Sequence, residues 1–365
     1  MNDSLNDPEL QINDKCYNKE QLHHLIAEKK NVSIPEWEQS IFSFLEEWLN
    51  DDEFVTVNTS GSTGVPKSIK VSKRAMIVSA RNTLKFFNLT PGCTALLCLS
   101  ANYIAGKMMI VRALEGKLNL VICEPAGVPL ENLKRPVDFA AMVPLQVYNQ
   151  LEMDVAAFER VKTVIVGGGR LSESVDNQIA NRKVAFWETY GMTETLSHVA
   201  LRRINGIDKK DHFTALFNVS FSEDVRGCLV IEANGVTVEA LITNDLVELM
   251  DKRHFRFLGR YDNVINTGGI KVFPETIERK LEKAKVNELV IVPVKDEKLG
   301  EKVVLVLEGE ENDSIGEVRE AFRLLEKYEQ PKEVLYCPDF PRTETGKVHR
   351  GKLANWAESI LIKKK

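Results

Sequence analysis

The stretch NTSGSTGVPKSIK, residues 58–70, nearly spells a Walker A loop: Gly61, four residues, then Pro66, Lys67 and Ser68. Hydroxyls on Thr59, Ser60, Ser62 and Thr63, the pliable backbone at Gly61 and Gly64, and the charge of Lys67 suit a polyphosphate. Pro66 stands where the second glycine belongs. It has no N–H and a fixed φ, so the backbone cannot close the wrapped nest of a P-loop. A Walker A lysine also opens a helix, whereas SIKVS reads as a strand. These residues argue against a P-loop NTPase and for a hydroxyl-rich loop between two strands, EFVTVNT and SIKVS. Composition alone leaves a plain Ser/Gly connection open.

Working outward, Ser72 reads as the N-cap of a helix with Met76, Ala80, Leu84 and Phe87 on one face. Upstream, Ser33-Ile34-Pro35-Glu36 has the form of a capping box ahead of Trp37, Ile41, Phe44, Leu45 and Trp48. Downstream, TALLCLS, LNLVICE, VDFAAMV, KTVIVGG and KVAFWETYG are short and almost wholly apolar, as strands buried on both faces of a parallel sheet are. Helix-length segments, IAGKMMIVRALEG and LSESVDNQIANR among them, separate the runs. The fold class is α/β. A large domain is expected over residues 1–258, followed over 259–365 by a small α+β domain of charged helices and apolar strands. The joint, LGRYDNVINTGG, has the composition of a hinge near 260–263.

The chain has 365 residues, 44% hydrophobic and 28% charged, the balance of an ordinary soluble protein with room for two domains. No apolar run approaches the ~18 residues of a membrane span, so no membrane insertion is expected. The polar start MNDSLNDPEL resembles neither a signal nor a transit peptide, and a cytoplasmic location is expected. A net charge of −5 argues against a nucleic-acid partner. Six cysteines without a C-x-x-C pair read as reduced, mostly buried thiols, and the six histidines do not cluster as a structural metal site would. Oligomeric state is left open.

Five further motifs carry chemistry. VIVGGGRLS, residues 164–172, places Gly167, Gly168 and Gly169 at a strand end, where three glycines make a tight turn. ETYGMTET, residues 188–195, offers an aromatic face at Tyr190 and a hard carboxylate at Glu194. LITNDLVEL holds Asn244-Asp245, by itself a turn between strands. LGRYDNVINTGGIKVFPETIE supplies Arg260, Asp262, Gly268 and Gly269, and PRTETGKVHRGKL, residues 341–353, supplies Lys347.

Together with TSGSTGVPK, and in this order, these motifs resemble those of the adenylate-forming superfamily: acyl- and aryl-CoA synthetases, adenylation domains and luciferases. The resemblance spans residues 58–353. It implies ATP, Mg²⁺ and coenzyme A as cofactors or co-substrates, with a small-molecule carboxylic acid as the other partner. Thr59, Ser60, Gly61, Ser62, Thr63 and Lys67 would then meet the phosphates, and Gly167, Gly168, Gly169, Tyr190 and Gly191 the adenine. Thr193 would meet the α-phosphate, Glu194 the Mg²⁺, Asp245 the ribose hydroxyls, and Arg260 ribose or phosphate. Lys347 would be the catalytic lysine of adenylation, Asp262 the interdomain hinge, and Gly268–Gly269 the wall of a channel for CoA. Asn244 replaces the glycine of the family's T-G-D motif. Thr276 replaces a glutamate, which puts one stabilising contact in question.

The phosphate loop also falls about a hundred residues earlier than in typical members, so a shortened N-terminal domain is expected. Short members of this kind resemble the o-succinylbenzoate–CoA ligases of menaquinone synthesis. For such a dianionic acid the acyl site would fall on Tyr103 and Gly106, with Lys107 as the first candidate for the second carboxylate and Ser197 and His198 as contributors. Another aryl- or acyl-CoA ligase, an adenylation enzyme serving a carrier protein, and a non-catalytic nucleotide binder are the alternatives.

Overall fold

The computed structural model describes residues 7–58, 68–282, 288–310, 315–342 and 348–363. The five apolar runs form strands Thr94–Leu97, Asn119–Ile122, Val137–Met142, Val161–Val166 and Ala185–Gly191. All lie parallel to one another, with Thr94–Leu97 between Asn119–Ile122 and Val137–Met142. The short strand Leu10–Ile12 adds in parallel beyond Asn119–Ile122, and Lys15–Tyr17 closes that edge antiparallel. Helices Lys73–Phe86 and Ile104–Gly116 pack against each other, and the core they share includes Met76, Ala80, Met108 and Val111.

The sheet does not end at Ala185–Gly191. His198–Arg203 turns back antiparallel, and Phe213–Ala215, His254–Arg260, Leu241–Asp251, Cys228–Ala233 and Val219–Glu223 continue antiparallel beyond it. Thirteen strands result among the described residues. The large α/β unit is thus parallel in its first half and purely antiparallel in its second. The changeover falls between Ala185–Gly191 and His198–Arg203, at the ETYGMTET motif.

SIKVS is a strand, Ser68–Ser72, paired antiparallel with Phe54–Asn58 in register Asn58↔Ser68. The loop residues between them, Thr59, Ser60, Gly61, Ser62, Thr63 and Lys67 included, lie outside the described residues. The capping box expected at Ser33–Glu36 is not formed. The N-cap of helix Glu36–Leu49 is Pro35, two residues beyond Ser33, and its side chain has no polar atom to offer the first turn.

A second, five-stranded sheet holds Ile265–Thr267, Ile270–Val272, Leu289–Asp296, Gly300–Glu308 and Glu333–Cys337. Its apolar clusters run from Ile265 to Ala357, whereas those of the large sheet run from Leu10 to Phe255. Helix Arg350–Lys363, which follows the segment carrying Lys347, is pinned to helix Pro274–Leu281 by a two-pronged ion pair. The Arg350 guanidinium donates to both oxygens of Glu278 at 2.5 and 3.0 Å. Helix Ile315–Ala321 runs into a 3₁₀ turn, Phe322–Leu324.

Gly106 shows how tightly the large unit is built. A Cβ there would lie 2.3 Å from the Ser100 carbonyl oxygen and 2.8 Å from the Ala101 nitrogen, both backbone atoms. Gly106→Ala is expected to lower stability by about 1–3 kcal/mol, because helix Ile104–Gly116 must lift off the preceding loop. A urea denaturation midpoint equal to that of the parent would contradict this.

Candidate active site

The triple glycine, Tyr190, Asp245 and Arg260 come together where the sheet changes from parallel to antiparallel. Strand Val161–Val166 ends in the triple glycine. Gly167 donates to the Met142 carbonyl at 3.0 Å, and a Cβ on it would come 2.9 Å from Thr189 Oγ1. Gly168 sits at φ +81°, so the turn uses glycine for its backbone as well as for space.

Ala185–Gly191, the adjacent strand, carries Tyr190 toward the antiparallel half. Its ring packs edge-on to Phe255 at 4.9 Å, and its hydroxyl donates to Asp245 Oδ2 at 2.5 Å. Burial, together with the Asp245 carboxylate, pushes the phenol well above its ordinary pKa, so it stays a donor. Asp245 lies on Leu241–Asp251, directly opposite Arg260 on His254–Arg260. Arg260 Nη1 donates to Asp245 Oδ1 at 3.1 Å, and its Nη2 reaches Asp262 at 3.3 Å. Each Asp245 oxygen therefore accepts one bond and keeps acceptor capacity, as a pair of ribose hydroxyls would need.

Asn244 is not in a turn. It lies within a strand, and its φ is not among the positive values. Its amide accepts from Arg226 Nη1 at 2.9 Å and donates to Asp262 at 3.2 Å, tying the strand to the 3₁₀ turn Tyr261–Asn263. Thr276 likewise makes a contact of its own, donating to the Leu258 carbonyl at 2.9 Å across the joint. Gly268 and Gly269 have φ of +59° and +82° and form the two-residue turn between Ile265–Thr267 and Ile270–Val272. Lys347 lies outside the described residues. The stretch containing it is flanked by a bridge between Arg342 and Val348 and by a 2.6 Å bond from His349 N to Pro341 O.

After Gly191, the chain makes a 3₁₀ turn, Thr193–Thr195, and passes through Leu196 at φ +63°. A Cβ on Gly191 would collide with Ser197 O at 2.3 Å, so only glycine allows this return. Thr195 locks the turn by accepting from Met192 N at 2.9 Å and donating to the chain beyond. Glu194 is thereby left exposed at the turn, with no hydrogen bond or ion pair among the described residues. A free carboxylate beside the nucleotide motif fits Mg²⁺, which takes one or two carboxylates together with substrate phosphates.

The acyl candidates separate. Tyr103 is exposed at the start of helix Ile104–Gly116. Lys107 is 7% exposed, but its ammonium already serves the protein. It donates to the Thr56 carbonyl at 2.7 Å, lies 3.4 Å from Glu47 Oε2 and sits 4.9 Å from the centre of the Phe44 ring. Those partners occupy the charge that a second substrate carboxylate would require.

Arg112, on the same helix, was not singled out by sequence. Five residues after Lys107, it projects about 140° around the helix from it. It is 2% exposed and forms no ion pair among the described residues. Its Nη2 donates to Ser197 Oγ at 2.7 Å, its Nη1 lies 3.5 Å from Met109 Sδ, and its Nε has no partner there. Burial draws its pKa down to about 9, which still leaves a cation at neutral pH.

Ser197 Oγ in turn lies 3.2 Å from His198 Nδ1, and His198 Nε2 lies 3.1 Å from Thr83 Oγ1. Thr83 donates onward to the Ser79 carbonyl at 3.3 Å. Every donor is matched only if the imidazole is neutral with its proton on Nε2. Burial and the Arg112 charge both push its pKa well below 6.5. Above pH 6.5 the folded and unfolded chains are both neutral here. Below it, the unfolded chain binds a proton that the folded chain refuses. Stability should therefore fall with pH, by up to ~1.4 kcal/mol per unit from this group. His198→Gln should flatten that slope in denaturation curves taken from pH 7 to 5; an unchanged slope would contradict the assignment.

The chain belongs to the AMP-binding enzyme family, whose model matches residues 6–216. The 2-succinylbenzoate–CoA ligase of Salmonella typhimurium is 27% identical over 314 residues, covering 82% of this chain and 68% of that protein. A probable 2-succinylbenzoate–CoA ligase of Mycobacterium tuberculosis is 26% identical over 357 residues, covering 88% and 90%. Among solved structures, an AMP-forming acyl-CoA synthetase/AMP-acid ligase II-like protein of Dyadobacter fermentans is 34% identical with a TM-score of 0.61, covering 90% of this chain and 97% of that one. The Bacillus subtilis o-succinylbenzoate–CoA synthetase, solved with its acyl-adenylate intermediate, shares the fold at a TM-score of 0.71 and 20% identity, covering 82% and 68%.

Proposed function

We propose that the protein is an ATP-dependent, AMP-forming carboxylate–CoA ligase, and that its acid carries a second carboxylate, with o-succinylbenzoate the best match. The observation that carries the substrate class is Arg112, a buried cation without a carboxylate partner among the described residues. Such a charge is costly to keep unless a ligand completes it. The 2-succinylbenzoate–CoA ligases among its relatives support the same choice.

In the first half-reaction, an oxygen of the substrate carboxylate bonds to the α-phosphorus of ATP and pyrophosphate leaves. The Asp245 carboxylate would hold the ribose, steadied by Tyr190 and Arg260. Thr193 would donate to the α-phosphate, and Lys347 would bring two anions together as charge grows on the phosphoryl oxygens. Mg²⁺, held through Glu194, would neutralise phosphate charge. In the second half-reaction, the CoA sulfur bonds to the acyl carbon and AMP leaves. The small α+β unit would swing about Asp262 between the two steps. The separate apolar clusters on either side of the joint support such motion. Neither step requires a strong acid or base, so positioning and electrostatics carry the rate.

A panel of carboxylic acids in a pyrophosphate-exchange assay tests the reading. Exchange should depend on o-succinylbenzoate and fall sharply when its non-reacting carboxylate is methylated. Equal exchange with both would remove the diacid assignment.

A further inference from the structure

His198 stands one hydrogen bond behind the contact between Arg112 and Ser197. We propose that it is a positioning residue, fixing the Ser197 hydroxyl so that the Arg112 guanidinium keeps one orientation for the second carboxylate. The inference rests on the proposed role of Arg112 as the anchor for that carboxylate.

Arg112 Nη2 donates to Ser197 Oγ at 2.7 Å, so the serine proton must go elsewhere. Its outlet is His198 Nδ1 at 3.2 Å, and the imidazole passes its own proton direction on to Thr83 at 3.1 Å and from there to the Ser79 carbonyl. Four groups on three elements thus form one chain of donors, starting at the guanidinium and ending on the backbone of helix Lys73–Phe86.

The backbone at its centre is equally constrained. Leu196 is held at φ +63°, Gly191 admits no Cβ, and the ladder between Ala185–Gly191 and His198–Arg203 shifts register between His198 and Ala200. Such irregularities re-aim side chains near functional sites. Here the shift lies beside the Ser197–His198 pair. Without the histidine, Ser197 Oγ can rotate, and the guanidinium loses the acceptor that holds one of its ends. Arg112 Nε, buried and without a partner among the described residues, then loses its fixed aim.

The test compares His198→Leu with His198→Gln, whose amide can both accept from Ser197 and donate to Thr83. Steady-state constants are measured for o-succinylbenzoate, for its ester at the non-reacting carboxylate, and for ATP. His198→Leu should raise the KM for the diacid tenfold or more, well beyond any change in kcat or in the KM for ATP. The diacid's advantage over the ester should shrink, and His198→Gln should recover the diacid KM to within about threefold.

If His198→Leu does not fold, Thr83→Val cuts the far end of the chain while preserving shape and should raise the same KM severalfold. A diacid KM that stays at the parent value, or a loss shared equally with ATP, overturns the proposal. Arg112→Gln separates the two levels. If that variant leaves the diacid KM unchanged, the anchor reading itself fails. If it raises that KM while His198→Leu does not, only the positioning role fails.

Discussion

Lys347→Ala is expected to lower carboxylate-dependent pyrophosphate exchange at least a hundredfold while sparing thioester formation from a supplied acyl-adenylate. Losing one preorganised donor to a charged transition state costs on the order of 3 kcal/mol, and losing a full charge can cost more. The asymmetry matters more than the magnitude. Lys347 resembles a lysine needed only while a carboxylate and an α-phosphate are driven together, and the adenylate has already passed that point. The residues on either side of it, the bridge from Arg342 to Val348 and helix Arg350–Lys363, belong to the small unit. A folded variant that loses both half-reactions equally would contradict the assignment.

Arg112→Gln is expected to cost affinity without costing stability. The diacid KM should rise roughly 10- to 100-fold, from the loss of charged hydrogen bonds of about 1.5–3 kcal/mol. The unliganded protein should become no less stable, because an uncompensated buried cation leaves the fold. A residue conserving structure alone would behave the other way. A lower melting temperature together with an unchanged diacid KM would contradict the anchor role.

Much of this was legible in the sequence, and the rest was hidden for physical reasons. The parallel strands announced themselves because both faces are buried, so runs such as VDFAAMV are apolar throughout. The antiparallel half did not, since LITNDLVELMD and HFRFLGR mix buried with half-buried and exposed residues and carry the polar groups of the site. The SIKVS pattern correctly separated this segment from the helix that opens at a Walker A lysine. Read by itself, Asn244-Asp245 favours a turn, whereas the ladder that pairs Asp245 with Arg260 keeps the segment extended.

Lys107 drew attention through its place beside Gly106, but its partners Glu47 and Thr56 come from segments about 50–60 residues earlier that no local pattern reveals. Arg112 was overlooked because a single arginine in MMIVRALEG reads as a side chain stretching to solvent. The available signal was the apolar run that flanks it, Met108 to Val111 before and Ala113–Leu114 after.

The most direct measurement is the nucleotide product formed when purified protein is given ATP, o-succinylbenzoate and CoA. Acid-dependent formation of AMP and pyrophosphate in equal amounts, with the acyl-CoA appearing alongside, is the expected result. Formation of ADP and phosphate would contradict it and return the TSGSTGVPK loop to the chemistry that Pro66 argues against.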